Sequence, residues 1–155
     1  MADLTANEAA KIKLALNENS TDGSVTERLV NVINNDKGWN SVSYTIGTEA
    51  ADVIRVSCQF KDADGDDMAV PVGCIQYLAT DDTGQVGEAA ATTLAVGTDG
   101  TILVEFTSDL VWFAVSEADG DLDIDIGNAG GADTLHLVTV LPNGNLSISA
   151  AITFA

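Results

Sequence analysis

Hydrophobic residues recur at every second position over much of this chain after residue 41, and that period constrains the fold more than any other feature. Successive side chains of a strand point to opposite faces, so strict alternation predicts strands with one buried face. The alternating stretches are Ile54 to Phe60, Ile102 to Phe106, Leu122 to Ile126 and Leu146 to Phe154. Two nearly continuous apolar runs, Leu110 to Val115 and Thr134 to Leu141, are typical of central strands.

Turn dipeptides separate these stretches, and no helical pattern lies between them. The turn signals are Asp64-Gly65, Thr83-Gly84, Asp99-Gly100, Asp119-Gly120 and Asn143-Gly144. Residues 84–100, rich in Ala and Gly, are interpreted as a long loop with one short strand. The pattern predicts a mainly β fold, an antiparallel β-sandwich of eight or nine strands that is either Ig-like or jelly-roll-like.

The first 40 residues follow a different period and predict two short α-helices that precede the sandwich. Capping boxes at Thr5/Glu8 and Ser24/Glu27 mark their starts. Their apolar stripes are Ile12 and Leu16 in the first helix and Val25, Leu29, Val32 and Ile33 in the second. We therefore expect a helical segment at 1–40 that binds a partner through these stripes, and a sandwich domain at 41–155; the alternative is that the helices cover one end of the sandwich.

The charge is strongly acidic and unevenly distributed. The 155-residue chain carries a net charge of −18, whereas residues 1–40 hold four basic and six acidic groups, which leaves −16 on residues 41–155. Such a charge repels phosphate backbones and anionic lipid, so neither nucleic acid nor a membrane is an expected partner. It favours solubility at high concentration and docking on a basic surface. The start, Met1 to Leu4, lacks the features of a secretory signal, so synthesis in a cytoplasm is expected.

Few residues suggest chemistry. Cys58 and Cys74 lie in predicted strands and are interpreted as reduced core thiols, although a disulfide remains a minor alternative. His136, the only histidine, lies within an apolar strand without a nucleophile placed beside it, which favours a structural role. We expect no catalytic residues, no cofactor and no enzymatic activity, although the many carboxylates leave a glycosidase pair open in principle.

Two acidic clusters stand out. Asp62, Asp64, Asp66 and Asp67 surround Gly65, where carboxylates could bind Ca²⁺, but the spacing departs from an EF-hand and a solvated hairpin turn is favoured. Asp119, Asp121, Asp123 and Asp125 form the second cluster, and Leu122, Ile124 and Ile126 alternate with the last three. Three of the four are interpreted as the exposed face of a solvated edge strand, with a bound cation or a basic partner as the alternative.

Several strand and turn segments resemble those of a group of tailed-bacteriophage virion proteins. The segments are Val42 to Ile54, Lys61 to Gly65, Val115 to Ile124, Leu137 to Leu146 and Ala151 to Ala155. The resemblance implies a structural protein of the particle, either a head decoration (cement) protein or a head or tail fibre component. It implies the major capsid protein or another virion protein as the partner, self-association, and a location in the virion after synthesis in the host bacterium. The alternative from another class is a carbohydrate- or calcium-binding β-sandwich module.

Overall fold

The computed structural model describes residues 38–85 and 91–155, so both expected helices lie outside the described residues. Ten strands form in the described part, in place of the eight or nine expected. They are β1 (Ser41–Ile46), β2 (Val53–Lys61), β3 (Gly73–Ala79), β4 (Thr93–Val96), β5 (Thr101–Thr107), β6 (Val111–Val115), β7 (Asp121–Gly127), β8 (Asp133–Val140), β9 (Leu146–Ile148) and β10 (Ile152–Phe154). The prediction of a mainly β fold is confirmed.

The strands form two antiparallel sheets. The smaller sheet has the order β1-β2-β7-β4. The larger has the order β10-β8-β3-β6-β5, and β9 pairs with the same edge of β8 as β10 does. The two apolar runs of the sequence become β6 and β8, which both lie inside the larger sheet as expected.

The hydrophobic core contains the alternate residues of both sheets. β2 contributes Ile54, Val56, Cys58 and Phe60, and β7 contributes Leu122, Ile124 and Ile126. The larger sheet supplies Cys74, Leu78, Trp112, Ala114, Leu135, Leu137, Ile152 and Phe154. One continuous cluster from both sheets means that the sheets pack face to face, as in a sandwich. The buried faces predicted for β2 and β7 are confirmed.

The prediction of one buried face fails in β5 because the ladder contains two irregularities. The register with β6 shifts between Ile102 and Val104 and again between Glu105 and Thr107. Each extra residue reverses which face the following side chains occupy. Ile102 is half-buried, but Val104 and Phe106 are 45% and 59% exposed.

The final stretch also differs from its prediction, since it forms two strands rather than one. At the break, the amide of Ser149 donates to the carbonyl of Leu137 at 2.9 Å, and the Ser149 hydroxyl accepts from the Leu137 amide at 2.9 Å. The hydroxyl takes the place of a backbone carbonyl. The alternation of core-facing and outward-facing residues is therefore interrupted at Ser149. Leu146 is consequently exposed, whereas Ile152 and Phe154 are buried in the core.

The interpretation of residues 119–125 as a solvated edge strand is wrong. β7 lies inside the smaller sheet, between β2 and β4. The strand that covers it, β4, comes from the Ala- and Gly-rich segment in which the sequence indicated only one short strand. The five turn signals are better preserved: each of their glycines adopts a positive φ, between 79° and 90°.

Candidate functional site

The outer face of the smaller sheet carries a charged network around Arg55. The register of β2 and β7 places Arg55 directly opposite Asp125. Its Nε and Nη2 donate to the two carboxylate oxygens of Asp125 at 2.7 and 3.0 Å. Its Nη1 lies 3.4 Å from Oδ2 of Asp123 and donates to Oγ1 of Thr98 at 2.7 Å. We call Asp119, Asp121, Asp123 and Asp125 the aspartate row. One cation therefore compensates two of its carboxylates, and a bidentate pair is among the stronger ionic contacts.

Asp123 is the most buried of these aspartates, at 7% exposed. Its carboxylate accepts from the Ser57 hydroxyl at 2.6 Å and from the Thr98 amide at 3.3 Å, in addition to its contact with Arg55. These donors explain how a central strand tolerates a buried carboxylate. Half of the aspartate row is thus structural.

The other half opens into an acidic groove at one end of the smaller sheet. The groove has a volume of about 820 Å³ and is lined by five carboxylates together with uncharged residues such as Gln59 and Met68. The carboxylates are Asp67, Asp99, Glu117, Asp119 and Asp121. Burial, followed by the charges of neighbouring aspartates, raises the pKa of Asp121. The groove is therefore a concentration of negative potential that favours cationic groups.

The residues considered for Ca²⁺ form a hydrogen-bonded turn after β2. Oδ1 of Asp62 accepts from the backbone amides of Asp64 and Asp66 at 2.9 and 3.0 Å. Asp67 forms an ion pair with Lys61. Over residues 38–85 and 91–155, no group of three or more His, Cys, Asp or Glu side chains is arranged to hold a metal ion.

The two thiols are core groups, as the sequence predicted. The histidine, predicted to be a half-buried structural residue, is buried and lies opposite Ala79 in the larger sheet. Cys58 and Cys74 are both free and buried. Burial raises the pKa of the Cys58 thiol to about 12, so it remains protonated at neutral pH. His136 is 9% exposed, and its Nδ1 lies 3.0 Å from the carbonyl oxygen of Ser149. These contacts fit packing roles.

A buried polar network joins the two sheets around Gln76, a residue that the sequence did not single out. Gln76 is fully buried; its Oε1 accepts from the indole Nε1 of Trp112 at 3.2 Å, and its Nε2 donates to Oγ1 of Thr139 at 3.1 Å. Tyr44, from the opposite sheet, donates to the same Thr139 hydroxyl at 2.9 Å. The sequence does contain one signal for this residue: Gln76 is polar, and it lies between Cys74 and Leu78 at a core-facing position of β3.

The outer face of the larger sheet has the opposite character to the acidic face. Its central strands present apolar residues outward as well as inward, and the outward ones are Ile75, Tyr77, Ala79, Val111, Phe113, Val115, Val138, Val140, Leu146 and Ile148. The outward positions of β3, β6, β8 and β9 include no Asp, Glu, Lys or Arg. A domain with a charge of −16 therefore has one uncharged sheet face.

One row of apolar residues on this uncharged face crosses five strands and is open to solvent. The register pairs Leu146 with Val140, Val140 with Ile75, Ile75 with Phe113, and Phe113 with Val104. We call these five residues the apolar row. Ile75, Leu146 and Val104 are 40%, 43% and 45% exposed.

The next row is covered by the chain itself. Tyr77, which follows Ile75 on this face, is only 7% exposed, and its hydroxyl donates to the carbonyl oxygen of Gly84. The loop around Gly84 also reaches the side chains of Ile148 and Leu146. The loop around Gly84 therefore covers Tyr77 and contacts one end of the apolar row, at Leu146.

The residues predicted from the sequence to bind a partner all lie outside the described residues. They are Ile12, Leu16, Val25, Leu29, Val32 and Ile33. In the part of the chain that the structure describes, no helix has the length and apolar character needed to cross a membrane. The two faces, acidic and uncharged, thus constitute the candidate surfaces.

Fold and surfaces together define a two-sheet antiparallel β domain with strongly segregated charge. Comparisons with protein-family models, with curated proteins and with solved structures found no match.

Proposed function

We propose that this chain is a non-enzymatic structural protein of a tailed-bacteriophage particle that binds the outer surface of the head as a decoration or cement protein. The resemblance of its strand and turn segments to virion proteins supports the phage assignment. The observation that carries a binding role is the segregation of charge between an acidic face around Arg55 and an uncharged face around Ile75. Such a surface suits a protein that stays soluble at high copy number yet contacts other proteins.

Within the sandwich class, we infer an Ig-like rather than a jelly-roll-like arrangement. The order β1-β2-β7-β4 matches the Ig order A-B-E-D, and β3, β8 and β9/β10 match C, F and G. The hairpin of β5 and β6 is an addition at the edge of the larger sheet, beside β3. It differs from the Ig pattern because it follows β4 in the chain.

We further propose that residues 1–40 dock on the head while the sandwich extends from it. Residues 1–40 carry only −2, so they meet less repulsion than the sandwich when they approach an acidic shell. Their apolar stripes supply the contact, with Leu29 and Val32 in the longer stripe. The major capsid protein is the partner in this proposal.

A matched pair of substitutions tests the docking step. Leu29→Glu places a charge on the apolar stripe, whereas Asn31→Glu adds the same charge off the stripe. We expect Leu29→Glu to weaken binding of the full chain to undecorated heads by about 100-fold, because a charge enters an apolar contact, and Asn31→Glu to bind nearly as the parent does. Co-sedimentation with purified heads measures both. Equal binding by the two variants would show that the stripe is not the docking surface.

The broader role is tested by quantitative mass spectrometry of purified particles. Hundreds of copies per particle are expected for a decoration protein, and a few to tens for a head or tail fibre component, which is the alternative within the class. Absence of the chain from particles would contradict both.

A further inference from the structure

We propose that the uncharged face of the larger sheet is a self-association surface, on which two copies of this chain pack with their larger sheets back to back through the apolar row. The inference does not depend on the phage role. It rests on two observations: the apolar row is open to solvent, and the charged side chains of the domain lie on other surfaces.

The apolar row is continuous rather than a set of scattered residues. Five strands separated by about 4.8 Å give the row a length of about 19 Å across the sheet. Isolated exposed apolar residues are ordinary on a soluble protein, but a contiguous uncharged strip marks a contact surface. Phe113 lies beside Ile75, the central residue of the row, and packs over Gly73, whose added Cβ would come within 2.9 Å of the ring. The strip is therefore built into the sheet.

Charge selects a second copy as the occupant. A basic partner would be drawn to the opposite side of the domain, where Asp123, Asp125 and the acidic groove lie. The uncharged face offers such a partner no ionic contact. It is the surface on which an equally acidic molecule can approach with the least repulsion.

The geometry of stacked sheets keeps the acidic faces of the two copies apart. Packed sheets lie about 10 Å apart, so a four-layer stack separates its two outer sheets by about 30 Å. The Debye length at physiological ionic strength is about 8 Å, so repulsion between those sheets is largely screened. The contact repeats the face-to-face packing that the two sheets of one domain already use, and a two-fold axis makes it closed.

Ile75→Glu is the principal test, with Val70→Glu as its matched control. Both replace an exposed apolar residue, but Val70 lies in the loop before β3 and outside the apolar row. Sedimentation velocity of the full chain at about 0.1 mM would detect a contact of micromolar affinity. We expect a dimer for the parent and for Val70→Glu, and at least about 100-fold weaker association for Ile75→Glu, because the two-fold axis buries the new charge twice.

Salt and a second substitution keep the proposal falsifiable. Since two acidic molecules associate through an uncharged contact, raising the ionic strength from about 0.01 to 1 M should strengthen the dimer. If Ile75→Glu does not fold, Val104→Glu on edge strand β5 makes the same change where the side chain is 45% exposed. A parent that remains monomeric, or a dimer unaffected by the substitution that folds, would overturn the proposal.

Cysteine labelling identifies another occupant if the parent is a monomer. Maleimide would react slowly with the thiol of Val104→Cys if part of the same chain covered the row, and rapidly if the row were open for a different protein. Both outcomes would exclude self-association through this face. Slow labelling that becomes rapid on dilution, in step with dissociation, would support it.

Discussion

Gln76 shows how a single polar residue can join two sheets through an otherwise apolar core. Its amide oxygen accepts a hydrogen bond from the Trp112 indole, and its amide nitrogen donates to the Thr139 hydroxyl. Thr139 also accepts from Tyr44 in the smaller sheet. No buried side-chain nitrogen or oxygen in the described residues lacks a hydrogen-bond partner. A fully satisfied network of this kind fixes which residues face each other, since any other alignment leaves buried polar groups unpaired.

We predict that Gln76→Leu destabilises the domain by about 2–4 kcal/mol, because the Trp112 N–H loses its acceptor and the Thr139 hydroxyl loses a donor in a dry interior. Urea unfolding followed by tryptophan fluorescence measures the change. Gln59→Leu is the matched control, since the Gln59 amide donates to the Asp119 carbonyl at an exposed position where water can replace it. Equal losses in the two variants would mean that the network does not contribute specifically.

At the scale of the strand, Ser149 separates the two halves of the final stretch. Its hydroxyl accepts from the Leu137 amide and donates to the Ala150 carbonyl at 2.8 Å, so one side chain replaces part of a ladder. The substitution of a hydroxyl for a carbonyl allows β9 to face outward and β10 to face the core. The exposure of Leu146, and hence one end of the apolar row, follows from this break.

Ser149→Ala is therefore expected to cost about 1–3 kcal/mol, since it leaves the buried amide of Leu137 without its acceptor. Hydrogen exchange read at the Leu137 amide gives the local measurement, and we expect faster exchange there. Ser147→Ala, two residues earlier in β9, removes a hydroxyl without affecting that amide. An unchanged exchange rate at Leu137 in Ser149→Ala would contradict the assigned role.

The element scale also shows which parts of the fold the sequence can predict. Period-two alternation located β2 and β7 and their buried faces because their ladders are regular. It misplaced Val104, Phe106 and Leu146. A bulge, or a side-chain hydroxyl that replaces a backbone carbonyl, depends on contacts with the neighbouring strand, and the local sequence pattern does not contain those contacts.

The candidate surfaces were harder to predict than the strands. The aspartates of β7 were visible in the sequence. The interior position of β7 in its sheet depends on pairing with β4, and the weak pattern of β4 did not indicate that pairing. The uncharged face was not predicted, because the apolar runs of β6 and β8 are typical of strands that are buried on both faces. Only the sheet order shows that Ile75 and Phe113 are neighbours on an open face.

At the scale of the whole molecule, the crowding of like charges in the acidic groove predicts a pH dependence of stability. The pKa of Asp121 is raised in the folded state, first by burial and then by the charges of Asp119, Asp99, Asp123 and Asp67. A carboxyl with a raised pKa binds its proton more tightly in the folded chain than in the unfolded one. Its ionisation therefore destabilises the fold above the folded pKa, and this penalty disappears as the pH falls below the unfolded value.

Asp121→Asn should accordingly raise the melting temperature at pH 7, and the gain should shrink as the pH falls through about 4, the ordinary pKa of an aspartate, and vanish below about pH 3. The groove is open to water, so the gain at pH 7 is expected to be only a few tenths of a kcal/mol. Calorimetric melts of both proteins across this range measure the difference. Asp82→Asn provides the control, because Asp82 lies in the loop after β3 and outside the groove. A gain that persisted undiminished at about pH 3, or one equally large in Asp82→Asn, would show that relief of repulsion in the groove is not its cause.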